Sequence, residues 1–324
     1  MKLTLPSAYV AQAAEAMRSA SQRIYLLSMV LADHENTREL VDALKSAAHR
    51  GVEVIVAADV FTYGEVSGGF LPVRYYSKDA RATNQMVKAL RKAGVKFHWL
   101  GRGRITLFNG RTHSKWCIID DVVFSFGGVN MYSQGIENVD YMFRVEDKKI
   151  ADRLADEQRR IQTAERRASN FPSVTVELDQ VNILLDGGII GQSILYRRAC
   201  ELAEQASKIV FVSQYCPTGK LSRILKKADA TLYFNQPSQA DGLNKFVIRT
   251  SQFLSGLKTS YTRERYLHAK FILFTLPDGT KTAISGSHNF AYTGVLLGTR
   301  EVGIETKDPS IIKQLESFVK QHVA

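Results

Sequence analysis

The stretch HSKWCIIDDVVFSFGGVN, residues 113–130, decides how this chain folds and what chemistry it can carry. An imidazole, His113, and an ammonium group, Lys115, lie two residues apart at the start of an apolar run. Side chains at i and i+2 of an extended strand project from the same face, so the pattern predicts that both groups point at one place. The stretch then continues with an acidic residue, a glycine pair and an amide: Asp120, Gly127, Gly128 and Asn130.

A second copy of the pattern begins 155 residues later, at His268. It differs from the first copy at Thr275, which replaces the acidic residue, and in the residues 276–280 that follow, which predict a longer hairpin turn. Chance copies of a single His-x-Lys pair are common, whereas two copies with the same following turn predict two half-sites that share one active site. The remaining members of the second copy are Lys270, Gly286, Ser287 and Asn289.

The doubled pattern meets the needs of displacement at the phosphorus of a phosphodiester. A neutral imidazole can attack phosphorus, and a second, protonated imidazole can donate a proton to the leaving oxygen. Lys115 and Lys270 supply positive charge for the non-bridging oxygens. Asn130 and Asn289 supply amide donors. The protein provides every one of these groups, so the chemistry requires neither a metal nor another cofactor.

Two further pairs of residues extend the predicted site. Gly128 and Ser287 occupy matching positions in the two turns, and we expect both to border the substrate phosphate, with the Ser287 hydroxyl contacting either the phosphate or a carboxylate. Each histidine also needs a partner that fixes its tautomer. Asp140, before the apolar run YMFRV, and Glu301, before VGI, lie at similar distances downstream of the two turns. We predict that Asp140 anchors His113 and that Glu301 anchors His268, each within its own half.

Helix-like and strand-like segments alternate in both halves of the chain. This order predicts an α/β protein of two similar α/β/α sandwich lobes with largely parallel sheets. A charged helix at 148–169, followed by the break at 171–173, predicts the boundary. We therefore expect an N-terminal lobe at 1–170 and a C-terminal lobe at 171–324, with one shared active site between them. Residues 60–77 mix glycine with aromatic residues and predict an irregular loop.

The composition favours an anionic partner. The net charge of +11 is shared by the halves, with +6 in residues 1–170 and +5 in residues 171–324. Such a charge suits nucleic acid, an acidic membrane surface or a phosphorylated ligand. The cysteines Cys117, Cys200 and Cys216 lie in apolar or helical contexts, so we expect them to be buried and reduced, as in the cytoplasm. No apolar run reaches the ~20 residues that a spanning helix needs, so any membrane contact is expected to be peripheral.

Residues 113–130 resemble the signature of the phospholipase D superfamily: His-x-Lys, four residues, Asp, six residues, Gly-Gly or Gly-Ser, one residue, Asn. The second copy departs from that signature at Thr275. The resemblance implies a two-lobed fold with pseudo-two-fold symmetry and a covalent phosphohistidine intermediate. It implies that His113 is the nucleophile and His268 the general acid and then base, with the exchanged assignment left open. It also implies a supporting role for Asp120 behind the site.

Within this superfamily, three features are most similar to bacterial cardiolipin synthases: the Gly-Gly of the first copy, the Gly-Ser of the second, and the run DYMFRVED that begins at Asp140. That similarity implies transfer of a phosphatidyl group between anionic phospholipids, or phospholipid hydrolysis, by a cytoplasmic protein bound peripherally to the inner membrane surface. The aromatic loop at 60–77 would then admit acyl chains.

The alternative is a metal-independent nuclease or nucleic-acid phosphodiesterase of the same superfamily. The phrase SGSHNFAYTG at 285–294, followed by REVGIE, resembles that branch, and a net charge of +11 suits a polyanion. A non-catalytic binding protein is disfavoured, because His, Lys and Asn are intact in both copies. The sequence leaves the oligomeric state open.

Overall fold

The computed structural model describes residues 1–68, 77–101, 110–179 and 181–324, with Leu243 described by its backbone alone. The N-terminal half forms one seven-stranded sheet and the C-terminal half another. The strands of the first sheet are β1 (Lys2–Thr4), β2 (Arg23–Ser28), β3 (Glu53–Asp59), β4 (Lys96–Leu100), β5 (Trp116–Ile119), β6 (Val122–Ser125) and β7 (Met142–Glu146). Those of the second are β8 (Val174–Glu177), β9 (Val181–Leu185), β10 (Lys208–Val212), β11 (Ala230–Tyr233), β12 (Phe271–Thr275), β13 (Lys281–Gly286) and β14 (Val302–Thr306).

Helices alternate with these strands, as the sequence predicts. The N-terminal half contains α1 (Pro6–Ser19), α2 (Arg38–His49), α3 (Phe61–Val66), α4 (Lys78–Lys92), α5 (Ser133–Glu137) and α6 (Lys148–Arg166). The C-terminal half contains α7 (Ile194–Gln205), α8 (Lys220–Leu225), α9 (Gly242–Ser255), α10 (Tyr292–Leu297) and α11 (Pro309–Phe318).

Several helices begin where a local signal favours it. Pro6 occupies the first position of α1, where its missing N–H costs nothing. Asp147 caps α6 by accepting hydrogen bonds from the backbone N–H groups of Lys149 and Ile150. Ser193 caps α7 in the same manner.

The two sheets share one run of six strands in the same order, β1-β7-β6-β5-β2-β3 in the first and β9-β14-β13-β12-β10-β11 in the second. The first runs β1-β7-β6-β5-β2-β3-β4, and the second, written from its opposite end, runs β8-β9-β14-β13-β12-β10-β11. Strand β5 of the first thus corresponds to β12 of the second, and β2 to β10. The prediction of two similar lobes is confirmed, whereas the exact division at 170/171 stays a prediction.

The prediction of largely parallel sheets is wrong. Twelve pairings join the described strands, and only β2–β3, β3–β4 and β10–β11 are parallel. The physical reason lies in the motif copies themselves. Each copy folds as a tight antiparallel hairpin, β5–β6 or β12–β13, and that hairpin occupies the middle of its sheet.

Most buried apolar side chains form three large clusters, one on the outer face of each sheet and one between the two sheets. Helices α1, α2 and α4 cover the outer face of the first sheet, and α7 and α8 cover the outer face of the second. Helices α6 and α11 pack with the inner faces of both sheets in one continuous cluster. Neighbouring residues of β2 therefore point into different clusters, Ile24 outward and Tyr25 inward. Burial on both faces explains why these strands read as unbroken apolar runs.

Three smaller expectations can be compared with the fold. Residues 61–66 form α3, so the irregular loop predicted at 60–77 is wrong there, and residues 69–76 lie outside the described part. The three cysteines are buried and free, as predicted. Among the residues described, none of the helices has the length and apolar character needed to span a bilayer.

Candidate active site

The two His-x-Lys pairs lie immediately before the strands β5 and β12, not within them. Their extended backbone is held by the opposite lobe. The N–H groups of His113 and Ser114 donate to the carbonyl of Arg300, at 2.8 and 3.0 Å. In the other half-site, the N–H groups of His268 and Ala269 both donate to the carbonyl of Val139, at 2.9 Å. The contacts between the lobes are thus reciprocal, which is the pattern of a two-fold relationship.

The same reciprocal contacts pair each carboxylate with the histidine of the opposite lobe. Arg300 immediately precedes Glu301, and Val139 immediately precedes Asp140. Glu301 Oε2 lies 2.9 Å from His113 Nδ1, and Asp140 Oδ2 lies 2.7 Å from His268 Nδ1. The prediction that each carboxylate anchors the histidine of its own half is therefore wrong. Each lobe supplies the carboxylate that orients the histidine of the other lobe, because the backbone bridges bring those two segments together.

The carboxylates define which ring nitrogen carries the proton. The His113 imidazole holds the pKa of Glu301 down at about 2, against the opposing effect of burial. Hydrogen bonding from His268 likewise lowers the pKa of Asp140 in spite of its burial. Ionised carboxylates only accept hydrogen bonds, so each Nδ1 is a donor and the lone pair of the neutral ring lies on Nε2. Burial lowers the pKa of His113, and burial together with Lys270 lowers that of His268 to about 3, so both rings are neutral when the site is empty.

The lysines are buried beneath the histidines. Lys115 is 1% exposed and Lys270 is fully buried, and each ammonium group donates to the carbonyl of its own histidine, at 2.7 and 2.5 Å. Burial and then the nearby Lys270 lower the pKa of Lys115 to about 7. Burial lowers the pKa of Lys270 to about 8, although Asp140 and Glu301 act against that change. Lys270 acts on Lys115 and Glu301 acts on Lys270, so both half-sites lie in one electrostatic environment.

Both turn asparagines border the same cavity as the histidines. The side-chain oxygens of Asn130 and Asn289 are buried and have no hydrogen-bond partner among the described residues. Unpaired buried amide oxygens carry a desolvation cost, and functional sites are where such costs tend to be found. The two amides are therefore available to a bound molecule.

Gly128 lies where a side chain would collide with the site. Its N–H donates to Asp140 Oδ1 at 3.2 Å. An added Cβ would lie 2.7 Å from Asp140 Oδ2 and 2.9 Å from Lys270 Nζ. Ser287, in the matching turn, is fully buried and donates to Glu301 Oε2 at 2.5 Å. Its hydroxyl therefore positions the carboxylate of Glu301, which is the carboxylate contact expected as one alternative for Ser287, and contact with the substrate stays a prediction.

Asp120 is remote from the histidines, at the other end of β5. Its carboxylate accepts hydrogen bonds from the backbone N–H groups of Ser21, Gln22 and Arg23, each at 2.9 Å. It thereby fixes the connection between α1 and β2, and its side-chain hydrogen bonds with the described residues reach no residue that lines the cavity. At the corresponding place in the second lobe, the carbonyl of Thr275 accepts from the N–H and hydroxyl of Ser207. A backbone carbonyl thus does in one lobe what a carboxylate does in the other.

The histidines open onto a cavity of about 490 Å³ between the lobes. One part of its lining is apolar and includes Met29, Val30, Phe61, Val247 and Leu297. Another part carries hydroxyl and amide groups from Tyr132, Gln214, Tyr215, Asn244 and Tyr266. The catalytic candidates at this cavity are His113, Asn130, His268, Asn289 and Glu301.

The predictions from the sequence did not identify three cavity residues, each of which lies two positions before or after a motif residue. Arg111 precedes His113 by two positions, Tyr266 precedes His268 by two, and Tyr132 follows Asn130 by two. All three line the cavity. The period of an extended chain could have identified them, since i and i+2 share a face. Arg111 Nη1 also pairs with the buried Asp59 at 2.7 Å.

His288, within the second turn, is 2% exposed and does not line the cavity. Its Nδ1 accepts a hydrogen bond from the N–H of Phe290 at 2.7 Å, so it stabilises the turn. Burial lowers the pKa of His288 to about 4, so the ring is neutral.

A family model described as cardiolipin synthase, phospholipase D-like domain, matches residues 14–161, which include the complete first motif. Residues 14–161 thus carry a phospholipase D-like domain of this family. The superfamily resemblance, read first from residues 113–130, is thereby confirmed, as is the likeness to cardiolipin synthases.

Two curated relatives are similar to the chain over a comparable length. Cardiolipin synthase B of Salmonella typhimurium is 31% identical over 153 residues, covering 43% of this chain and 33% of the relative. Cardiolipin synthase B of Salmonella typhi matches to the same extent. The chain thus matches only a third of the length of these relatives.

Two solved structures share the fold across nearly the whole chain. Phosphatidylserine synthase of Haemophilus influenzae Rd KW20 has a TM-score of 0.70 at 14% identity, covering 100% of this chain and 86% of that one. Polyphosphate kinase of Porphyromonas gingivalis has a TM-score of 0.63 at 13% identity, covering 98% of this chain and 49% of that one. Both confirm the two-lobed architecture.

Proposed function

We propose that this protein transfers a phosphatidyl group between anionic phospholipids, and hydrolyses phospholipid when water is the acceptor, through a phosphohistidine intermediate. In the first step, His113 Nε2 forms a bond to phosphorus while the bond from phosphorus to the leaving alcohol oxygen breaks. His268, protonated on Nε2, donates its proton to that oxygen. In the second step, His268 takes the proton of the acceptor hydroxyl, the new oxygen–phosphorus bond forms, and the nitrogen–phosphorus bond breaks.

The protonation states of the empty site suit this sequence. His113 is a neutral base with its lone pair on Nε2, as a nucleophile requires. His268 is neutral in the empty site, but a phosphodiester anion in the cavity raises the pKa of a nearby imidazole and so favours protonation. Lys115 and Lys270 are drawn toward their charged forms by the same anion. The substrate thereby completes the acid that expels its own leaving group.

The residues that line the cavity favour a phospholipid over a nucleic acid as the substrate. Among the described lining residues, Arg111 is the one lysine or arginine, and it is paired with Asp59. Glu65, Asp241 and Glu301 add carboxylates to the same lining. The further phosphates of a nucleic-acid strand would meet these carboxylates with little compensating charge. A phospholipid presents a single phosphodiester next to apolar chains, which suits a lining that is partly apolar.

The hydroxyl and amide part of the lining supports an alcohol acceptor. Gln214 Nε2 donates to the hydroxyls of Tyr215 and Tyr266, at 3.0 and 3.1 Å. Tyr132 donates to Glu65 Oε2 at 3.2 Å. Phenols and amides both donate and accept, so they can hold the hydroxyl groups of a glycerol head group. The match of the N-terminal half to cardiolipin synthases supports the same reading. We also propose that residues 1–170 and 171–324 act as the two lobes around this site.

The substrate class can be tested by direct competition between candidates. The full chain is incubated with phosphatidylglycerol vesicles, phosphatidylcholine vesicles, single-stranded DNA or double-stranded DNA, each in the presence of chelator. We expect release of glycerol and formation of a four-chain lipid from phosphatidylglycerol alone. Cleavage of DNA without any lipid turnover would establish the nuclease alternative and refute the proposal.

A further inference from the structure

Exposed apolar side chains are concentrated beside the cavity. The described residues leave seven large apolar side chains exposed, and five of these lie on α9 and α10. The same helices line the cavity, through Asn244 and Val247 of α9 and Thr293 and Leu297 of α10. Exposed apolar side chains that lie together on a protein surface are typical of a site that binds another molecule or a membrane. Its members are Phe246, Phe253, Leu254, Tyr292 and Leu296.

Helix α9 presents the largest part of this apolar surface. Phe246 is 66% exposed, Phe253 87% and Leu254 74%. Phe246 and Phe253 are seven residues apart, so they lie two turns apart on one face. Ile248 and Ser251 lie on the opposite face and are buried. The helix therefore packs on one side and leaves an apolar surface on the other side that no described residue covers.

Basic residues accompany the two phenyl groups. Arg249 lies between Phe246 and Phe253 on the exposed face, at helical intervals of three and four, and Lys245 lies at its edge. Both are exposed, and neither has an ion-pair partner within the described residues. A single carboxylate, Asp241, precedes the helix. An apolar face bordered by free cations is the pattern of a helix that lies in the interface of an anionic bilayer.

We propose that α9 is a membrane-docking helix, which inserts Phe246 and Phe253 into the interface of a bilayer that contains anionic phospholipid. Lys245 and Arg249 then contact head-group phosphates. This inference rests on the proposed function, because it identifies the surface across which the lipid substrate reaches the cavity. A membrane is favoured over nucleic acid because Leu254 extends the same surface with an aliphatic side chain, which cannot stack on a base.

Vesicle flotation tests the docking surface without any catalysis. The variant Phe246→Ser/Phe253→Ser removes the apolar anchors, and Leu5→Ser, at an exposed residue just before α1, is the control. For vesicles of phosphatidylglycerol and phosphatidylcholine in equal parts, we expect the double variant to lose about tenfold or more in affinity. We expect Lys245→Gln/Arg249→Gln to lose about fivefold or more at low salt and little at high salt. Retention of wild-type affinity by the phenylalanine variant, or an equal loss in Leu5→Ser, would overturn the proposal.

A spectroscopic reporter distinguishes the bilayer from DNA. In Phe253→Trp, the emission of the new indole should shift to shorter wavelength with phosphatidylglycerol-containing vesicles and stay unchanged with DNA. A shift with DNA and none with vesicles would identify a nucleic-acid surface instead and refute docking to a membrane.

Turnover of monomeric lipid shows whether membrane docking or the proposed enzymatic function has failed. Short-chain phosphatidylglycerol below its micellar concentration reaches the cavity without a bilayer, so the phenylalanine variant should turn it over at the wild-type rate. Vesicle binding by a wild-type protein that turns over no lipid would refute the function and leave docking supported. Turnover of the monomeric lipid by a wild-type protein that binds no vesicle would refute docking alone.

Discussion

His113 Nδ1 lies 2.9 Å from Glu301 Oε2, so a carboxylate of the C-terminal lobe orients the histidine of the N-terminal lobe. Asp140 and His268 repeat the relationship in reverse at 2.7 Å. Within the described parts of the chain, both catalytic histidines pair with a carboxylate of the opposite lobe. The site consequently depends on the reciprocal backbone bridges Thr112–Arg300 and Val139–Leu267, which align the two lobes.

Double-mutant cycles on stability should detect the crossed pairing. We expect His113→Ala and Glu301→Gln to show a coupling on the order of 1–3 kcal/mol, because the two groups share a buried hydrogen bond. The pair His113→Ala and Asp140→Asn should be additive to within about 0.5 kcal/mol. Chemical denaturation of the four proteins in each cycle measures both values. Strong coupling of His113 to Asp140, with none to Glu301, would contradict the pairing.

The two histidines should differ in the step that they control. We expect His113→Ala to abolish any covalent adduct, and His268→Ala to slow turnover by about 10²–10⁴-fold while leaving His113 able to form an adduct with an activated ester. A phosphatidyl ester of p-nitrophenol serves here, because its leaving group needs no proton. Mass spectrometry of quenched protein locates the adduct. An adduct on His268 in the wild-type protein would exchange the two roles.

Binding of a phosphodiester anion should take up protons. With pKa values of about 7 for Lys115 and about 3 for His268, these groups are partly or wholly neutral in the empty site at pH 7.5, and an adjacent anion restores their charge. Calorimetry in buffers of different ionisation enthalpy measures the uptake, with a phosphonate analogue of short-chain phosphatidylglycerol as the ligand. Lys115→Met should take up fewer protons than the wild type, whereas the surface variant Lys2→Met should not differ from it. Proton release on binding would contradict the prediction.

The charged lysines also imply that ligand affinity falls at alkaline pH. The pKa of Lys115, about 7, and that of Lys270, about 8, are lowered by burial, so the ammonium forms persist below these values and are lost above them. We expect the affinity for the same phosphonate to decline as pH rises from 7 to 9. In Lys115→Met, the part of the decline below pH 8 should be reduced. A flat profile in the wild-type protein would show that the lysines do not hold the phosphate.

Asp120 should contribute to stability and not to turnover. Its carboxylate accepts three backbone hydrogen bonds at a partly exposed site, so we expect Asp120→Ala to lose about 1–2 kcal/mol of unfolding free energy with kcat unchanged. These hydrogen bonds lower the pKa of Asp120, so its stabilisation is present above the ordinary aspartate pKa and is lost as pH falls through the lowered value. The difference between variant and wild type should therefore shrink in acid. A large loss of kcat in Asp120→Ala would place the residue in the catalytic machinery.

Thr275→Ala provides the comparison for the second lobe. The connection at Ser207 is held by the backbone carbonyl of Thr275, which the substitution retains. We expect a change below about 0.5 kcal/mol, as for a surface position, measured by the same denaturation experiment. A loss equal to that of Asp120→Ala would show that the threonine side chain has taken over the role of the acidic residue.

The sequence by itself determined the two half-sites and the local structure around them. Spacing alone identified His113, Lys115, His268 and Lys270, and the alternation of apolar segments identified two similar lobes. These features are local, because side-chain periodicity and turn-forming residues act over a few positions of the chain. The flanking cavity residues Arg111 and Tyr266 follow from the same periodicity.

Only the tertiary structure decided which groups meet. The parallel strands expected from alternating segments became antiparallel at the motif hairpins, and the carboxylates exchanged lobes. Ser287 was found behind Glu301, and Asp120 was found beneath the α1–β2 connection. Sequence distance carries no information about such encounters, since Glu301 is 188 residues from His113 and its position depends on how the two sheets pack around α6 and α11. Packing of apolar faces, which is not directional, brings the lobes together, and the hydrogen bonds between them then select one alignment.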